Sequence, residues 1–200
     1  MNRMWWVVGG LFFLLVIGLG AIAIKEGVFE QRGLLDYGQV SPLVLSDSKG
    51  QPFSLGTLRG QVWVASFFFS RCTTICPAQN QKLLSLYRSY ELDPMVRFVS
   101  VSVDPAYDTP PVLQAYQRML GVQSKKWTFL TGNESDVVRA SEQVFKLAAK
   151  APDFHSTKVA LVDAHQTIRG YYDLQVQADV RQLFKDIALL AAQARQESSR

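Results

Sequence analysis

Phe67-Phe68-Phe69-Ser70-Arg71-Cys72-Thr73-Thr74-Ile75-Cys76-Pro77 holds both cysteines of the chain, four positions apart, after an apolar run and ahead of a helical pattern. Val62 to Phe69 is a nearly continuous run of β-branched and aromatic residues, as in a strand buried on both faces. Pro77 suits the first turn of a helix, and Leu83, Leu84, Leu86, Tyr87 and Tyr90 supply its apolar stripe. If the stretch between the cysteines is itself helical, i and i+4 side chains share a face and both sulfurs point at one small volume. Cα atoms one helical turn apart also fall within the roughly 4.4–6.8 Å that a disulfide tolerates. The pair can therefore bind a soft metal or close on itself.

Working outward, Arg97 to Val103 returns to strand character, and residues 104–111 form a loop in which Thr109 can cap the helix that Pro110 and Pro111 begin. That helix ends near Gly121. Upstream, Val40–Leu45 and Gln51–Leu55 flank the turn-rich Ser46–Gly50 and predict a β-hairpin. Downstream, the pattern predicts a strand over 127–130, a helix over 134–150, a strand over 159–163 with its hairpin partner over 167–172, and a last helix over 178–194. This alternation predicts an α/β domain, a mixed sheet flanked by helices, with Trp63, Trp127 and Phe67 to Phe69 in its core. A cysteine pair where the first central strand meets its helix is the arrangement of a thioredoxin-like domain.

The bulk numbers agree with one such domain. The chain has 200 residues, 48% hydrophobic and 19% charged, and its net charge of +4 is scattered, without a block that would imply nucleic acid. Trp5 to Ile24 is twenty residues without a charge, preceded by Arg3 and followed by Lys25-Glu26. As a helix it would be roughly 30 Å long, the thickness of a bilayer's hydrocarbon core. The Trp5-Trp6 pair suits the membrane interface, and Arg3 favours a cytoplasmic N-terminus. We expect an anchor over 1–24, a linker over 25–37 and the thioredoxin-like domain over 38–196. A signal cleaved near Ala21-Ile22-Ala23 is the rival reading, and both export the domain.

A single cysteine pair in an exported domain admits a structural disulfide, dithiol redox chemistry or metal binding. Three blocks narrow the choice: Phe68 to Pro77, the stretch Val101-Ser102-Val103-Asp104-Pro105-Ala106-Tyr107-Asp108-Thr109-Pro110, and Asp153-Phe154-His155-Ser156. Together they resemble the Sco/SenC family of membrane-anchored copper proteins that serve cytochrome c oxidase assembly. The resemblance implies copper held by Cys72, Cys76 and His155, with Asp104 beside the site to orient the imidazole or balance charge, and Asp108 the weaker candidate. Two thiolates and an imidazole suit soft Cu(I), not calcium or magnesium. Ser70 and Arg71 flank the first cysteine without an assigned role, and His165 is assigned to the surface.

The implied protein is a copper chaperone, single-pass in the inner membrane with its domain in the periplasm. It would deliver copper to the copper-centre subunit of cytochrome c oxidase, or reduce that subunit's cysteines through Cys72 and Cys76, with other copper chaperones as further partners. A metal-independent thiol-disulfide oxidoreductase of the same fold is the alternative, although such enzymes space their cysteines by two residues and this chain by three. Three departures from the family pattern stand out. Thr73 replaces a proline after the first cysteine, Asp163-Ala164-His165-Gln166 replaces Asp-Pro-x-Gly, and the stretch from Lys150 to His155 is short.

Overall fold

The apolar run before the cysteines is a strand, Val62–Phe68, with every residue buried. Val62, Val64 and Phe68 enter one core while Trp63, Ala65 and Phe67 enter another, so the strand divides the domain into two apolar layers. The computed structural model describes residues 34–74, 76–122, 125–147 and 156–199. The expected anchor over 1–24 and the linker up to residue 33 lie outside the described residues. Among those described, no helix is long and apolar enough to cross a membrane.

In chain order the elements are β1 (Val44–Asp47), β2 (Pro52–Ser54), β3 (Val62–Phe68), α1 (Cys76–Tyr90), β4 (Val96–Ser102), α2 (Pro110–Met119), β5 (Trp127–Thr131), α3 (Glu134–Val138), β6 (Lys158–Val162), β7 (Ile168–Asp173) and α4 (Gln177–Ser198). One seven-stranded sheet runs β2-β1-β5-β4-β3-β6-β7. The pairs β3–β4 and β4–β5 are parallel, and β1, β6 and β7 join antiparallel. This is the mixed α/β architecture expected from the sequence. One core takes α1, α2 and α4 through Leu83, Leu86, Leu113, Leu183 and Ile187. The other takes the N-terminal hairpin and the residues after α3. Trp63 and Trp127 are fully buried, as expected, and Trp127 Nε1 donates to Ser100 Oγ at 2.8 Å. Residues 34–37, expected in the linker, lie along β7: Tyr37 N–H donates to Ile168 O at 3.0 Å and Arg169 Nη2 to Leu34 O at 2.7 Å.

Three local expectations are corrected. Over the described residues, the helix predicted over 134–150 keeps α-geometry to Val138 and then widens into a π-turn over Arg139–Val144, closed by Phe145 N–H to Ala140 O at 2.9 Å; residues 148–150 lie outside the described residues. The cause is Phe145, fully buried and edge-on to both Trp63 and Phe67, with ring centroids 5.7 Å away in each case. Packing that ring takes one extra residue per turn, and Lys146 leaves with φ +51. Thr109 stands at the N-cap of α2 but its side chain makes no capping bond; its carbonyl accepts from Leu113 N–H at 3.0 Å. Finally, Cys72 lies outside α1, so the cysteines do not share a helix face.

The Asp163–Gln166 turn closes without a glycine. Asp163 Oδ1 accepts from His165 N–H and Thr167 N–H at 2.9 Å each, holding Gln166 at φ +70. Left-handed backbone of this kind costs a residue with a Cβ roughly 1–2 kcal/mol. Phe145 organises the second core, so Phe145→Ala should lower the unfolding free energy by about 3–5 kcal/mol, read as a fall in the denaturant midpoint.

Candidate metal centre

Strands β3 and β4 run parallel, so their C-terminal ends deliver two loops to the same sheet edge, one carrying Ser70 to Cys72 and the other Asp104 to Asp108. Parallel α/β sheets place their reactive groups at this end. Asp108 joins the loops. It is fully buried; one carboxylate oxygen accepts from Ser70 N–H at 3.0 Å and from the Ser102 hydroxyl, and the other accepts from the Ser70 hydroxyl. A buried carboxylate is costly unless donors surround it, and these three fix the backbone two residues before Cys72.

The chain turns at Cys72, whose N–H donates to Phe69 O at 3.2 Å, and enters α1 at Cys76. Both sulfurs are thiols in the structure, with Cys76 buried and Cys72 half-buried against both cores. The Cys76 backbone N–H donates to Cys72 Sγ at 3.3 Å. The first N–H groups of a helix lack intrahelical acceptors and carry the positive end of its dipole, so the bond favours thiolate at Cys72. Partial burial raises the Cys72 thiol, but hydrogen bonds from Cys76 and Thr74 outweigh it and hold Cys72 below its ordinary value. Cys76 goes the opposite way. Burial, its hydrogen bond to the Cys72 sulfur and the charge of that sulfur push it up to about 12. The pair is asymmetric: an accessible sulfur disposed to ionise and a buried one that keeps its proton.

Beneath the sulfurs, Tyr116 stacks on Phe68 with centroids 5.1 Å apart, and its hydroxyl accepts from Asn80 Nδ2. Burial and then the nearby Cys76 sulfur raise the Tyr116 hydroxyl, so it stays neutral. Gln79, one turn after Cys76, donates from Nε2 to Ser156 O at 3.5 Å. This bond ties the start of α1 to the segment just after His155. His155 itself lies outside the described residues, and among those described no three His, Cys, Asp or Glu side chains form a metal-holding group. Sequence reasoning missed Gln79 and Asn80, though their spacing of three and four from Cys76 was a usable signal.

Asp104 occupies the expected loop, but its carboxylate is taken by Arg71: Oδ2 accepts from Nε at 2.9 Å and from Nη2 at 2.6 Å. Asp108, the weaker candidate, has the larger part in building the loop before Cys72. His165 is on the surface as expected, its Nε2 3.0 Å from Glu197 Oε2 with 65% of the side chain exposed.

Comparison with known proteins adds a family to this geometry. The model of the SCO1/SenC family matches residues 36–192. The SCO1 protein homolog of Bacillus subtilis (strain 168) is 32% identical over 146 residues, 72% of this chain and 72% of the relative. Among solved structures, BsSco belongs to the Sco family of cytochrome c oxidase assembly proteins and contains an identified disulfide switch; it is 27% identical, covers 79% of this chain and 95% of its own, and has a TM-score of 0.70. ScoI of Bradyrhizobium japonicum, solved with copper bound, shares the fold at a TM-score of 0.65 and 19% identity, over 76% of this chain and 99% of its own.

The asymmetry of the cysteines predicts their chemistry. In the reduced chain, iodoacetamide should modify Cys72 well before Cys76, with a half-maximal rate at a pH below the ordinary thiol value of 9.0. Cys76→Ala removes the thiol donor but keeps the backbone N–H, so it should move that midpoint upward only in part; peptide mapping of the alkylated protein over a pH series checks both.

Proposed function

The chain belongs to the SCO1/SenC family, and on that premise we propose that it is a membrane-anchored copper chaperone serving cytochrome c oxidase assembly. Its cargo is a copper ion held by Cys72, Cys76 and His155. The observation that carries this reading is the Cys76 N–H bond to Cys72 Sγ, which keeps a pair of reduced sulfurs together with one of them ready as thiolate. Soft monovalent copper selects such sulfur, and an imidazole completes a low-coordinate site. The bond from Gln79 to Ser156 supports bringing the His155 segment to the same helix turn. Binding expels protons, so the raised Cys76 thiol makes loading depend on pH and gives the held ion a route to leave.

Delivery requires the acceptor's sulfurs to reach the ion while the donor still holds it. Half-exposed Cys72 is the side from which this exchange proceeds. The same asymmetry supports a second capability, reduction of the acceptor's cysteines. Thiolate Cys72 attacks their disulfide, and Cys76 then attacks the resulting mixed disulfide, leaving the acceptor as a dithiol and this pair oxidised. For the uncharged stretch Trp5 to Ile24 we propose a single span of the inner membrane, with the domain in the periplasm.

The reduced full-length chain should bind one equivalent of Cu(I) in competition with a chromophoric chelator. His155→Ala should weaken that binding by about tenfold or more, as loss of one of three ligands demands, while His165→Ala leaves it unchanged. Equal loss in both variants, or none in either, would remove His155 from the site.

A further inference from the structure

Arg71 immediately precedes the accessible cysteine and is fixed more firmly than an exposed arginine needs to be. Its Nε and Nη2 both bond to Asp104 Oδ2, and its guanidinium carbon lies 4.4 Å from the centroid of the Tyr107 ring. Tyr107 is in turn held by its N–H to Asp104 O at 3.1 Å. The two charges are placed unequally: the Arg71 side chain is 53% exposed and that of Asp104 only 11%. Positive charge therefore faces outward and negative charge inward. Nη1 takes no part in the Asp104 contact and, among the described residues, no hydrogen bond holds it.

Resting on the proposed function above, we infer that Arg71, clamped by Asp104 and stacked on Tyr107, recognises a carboxylate side chain beside the cysteine of the polypeptide that meets Cys72. A guanidinium already ordered by two neighbours loses little rotamer freedom on binding, and its free edge presents N–H donors to a carboxylate. Arg71 is thus a specificity residue for the partner chain.

The test uses the reduced full-length chain in uncharged detergent with two synthetic peptides. Each peptide carries one cysteine as a mixed disulfide with thionitrobenzoate, flanked by glutamates in one and glutamines in the other. The Cys72 thiolate attacks the peptide sulfur, a new Cys72–peptide S–S bond forms, the old S–S bond breaks, and thionitrobenzoate leaves as a coloured thiolate, so the exchange consumes no other oxidant. Wild type should react about threefold faster with the glutamate peptide at low ionic strength, and the two rates should converge in roughly 1 M salt.

Arg71→Gln should bring the ratio to one while the glutamine-peptide rate and the iodoacetamide rate stay unchanged. Arg71→Lys, which keeps charge without the fork, should retain part of the preference and decides the matter if Arg71→Gln unfolds. Equal rates in wild type, a preference that survives Arg71→Gln, or no preference in a folded Arg71→Lys would overturn the inference. A parallel fall for both peptides in Arg71→Gln would also overturn it, making Arg71 a clasp for the cysteine loop. None of those results touches copper binding. No release from either peptide would sink the inference together with the reductase capability.

Discussion

A single hydrogen bond, from the first backbone N–H of a 15-residue helix to the sulfur of the cysteine before it, sets the character of this protein. Its requirements explain much of the local architecture. The helix must begin at Cys76 and not include Cys72, because a residue within the helix would lose access to an unsatisfied N–H. Cys72 must turn back toward the helix axis, which its own bond to Phe69 O achieves. The buried cysteine must then remain a thiol beside a sulfur that ionises, and burial ensures this by raising Cys76. One bond thereby differentiates two chemically identical side chains.

The rest of the sheet edge holds that bond in place. Asp108, with no exposure, gathers the hydroxyls of Ser70 and Ser102 and the N–H of Ser70, so the ends of β3 and β4 cannot drift apart without stranding a buried charge. Asp104 performs a related task closer to solvent, with Arg71. Two carboxylates four residues apart in one loop therefore divide the work: one builds the backbone before the cysteine and the other orders the surface beside it. Rigidity at the base with an open sulfur at the rim would suit the proposed delivery of copper.

The sequence made the sheet and the cysteine junction readable because their signals are local. Val62 to Phe68 shows continuous burial in its composition, and the proline-led helix after it shows 3.6-residue periodicity. What escaped depended on contacts between distant residues. The π-turn after α3 exists because Phe145 must fit between Trp63 and Phe67, roughly eighty positions away, and no local pattern encodes that fit. Asp108 was readable only as the weaker candidate beside the site, since its partner Ser70 is 38 positions earlier. The pairing of Arg71 with Asp104 was hidden for the same reason, being a contact across 33 positions. Thr109 illustrates the converse: its position was readable as a cap, while the lack of a capping bond from its side chain was not. The family blocks supplied His155, which periodicity alone leaves as an unremarkable polar residue.

X-ray absorption at the copper edge of the Cu(I)-loaded full-length chain would examine the proposed ligand set itself. Sulfur scatterers from Cys72 and Cys76 with one imidazole nitrogen, the nitrogen disappearing in His155→Ala, is the expected spectrum. A shell of sulfur alone in wild type, as when two chains share one ion, would contradict it.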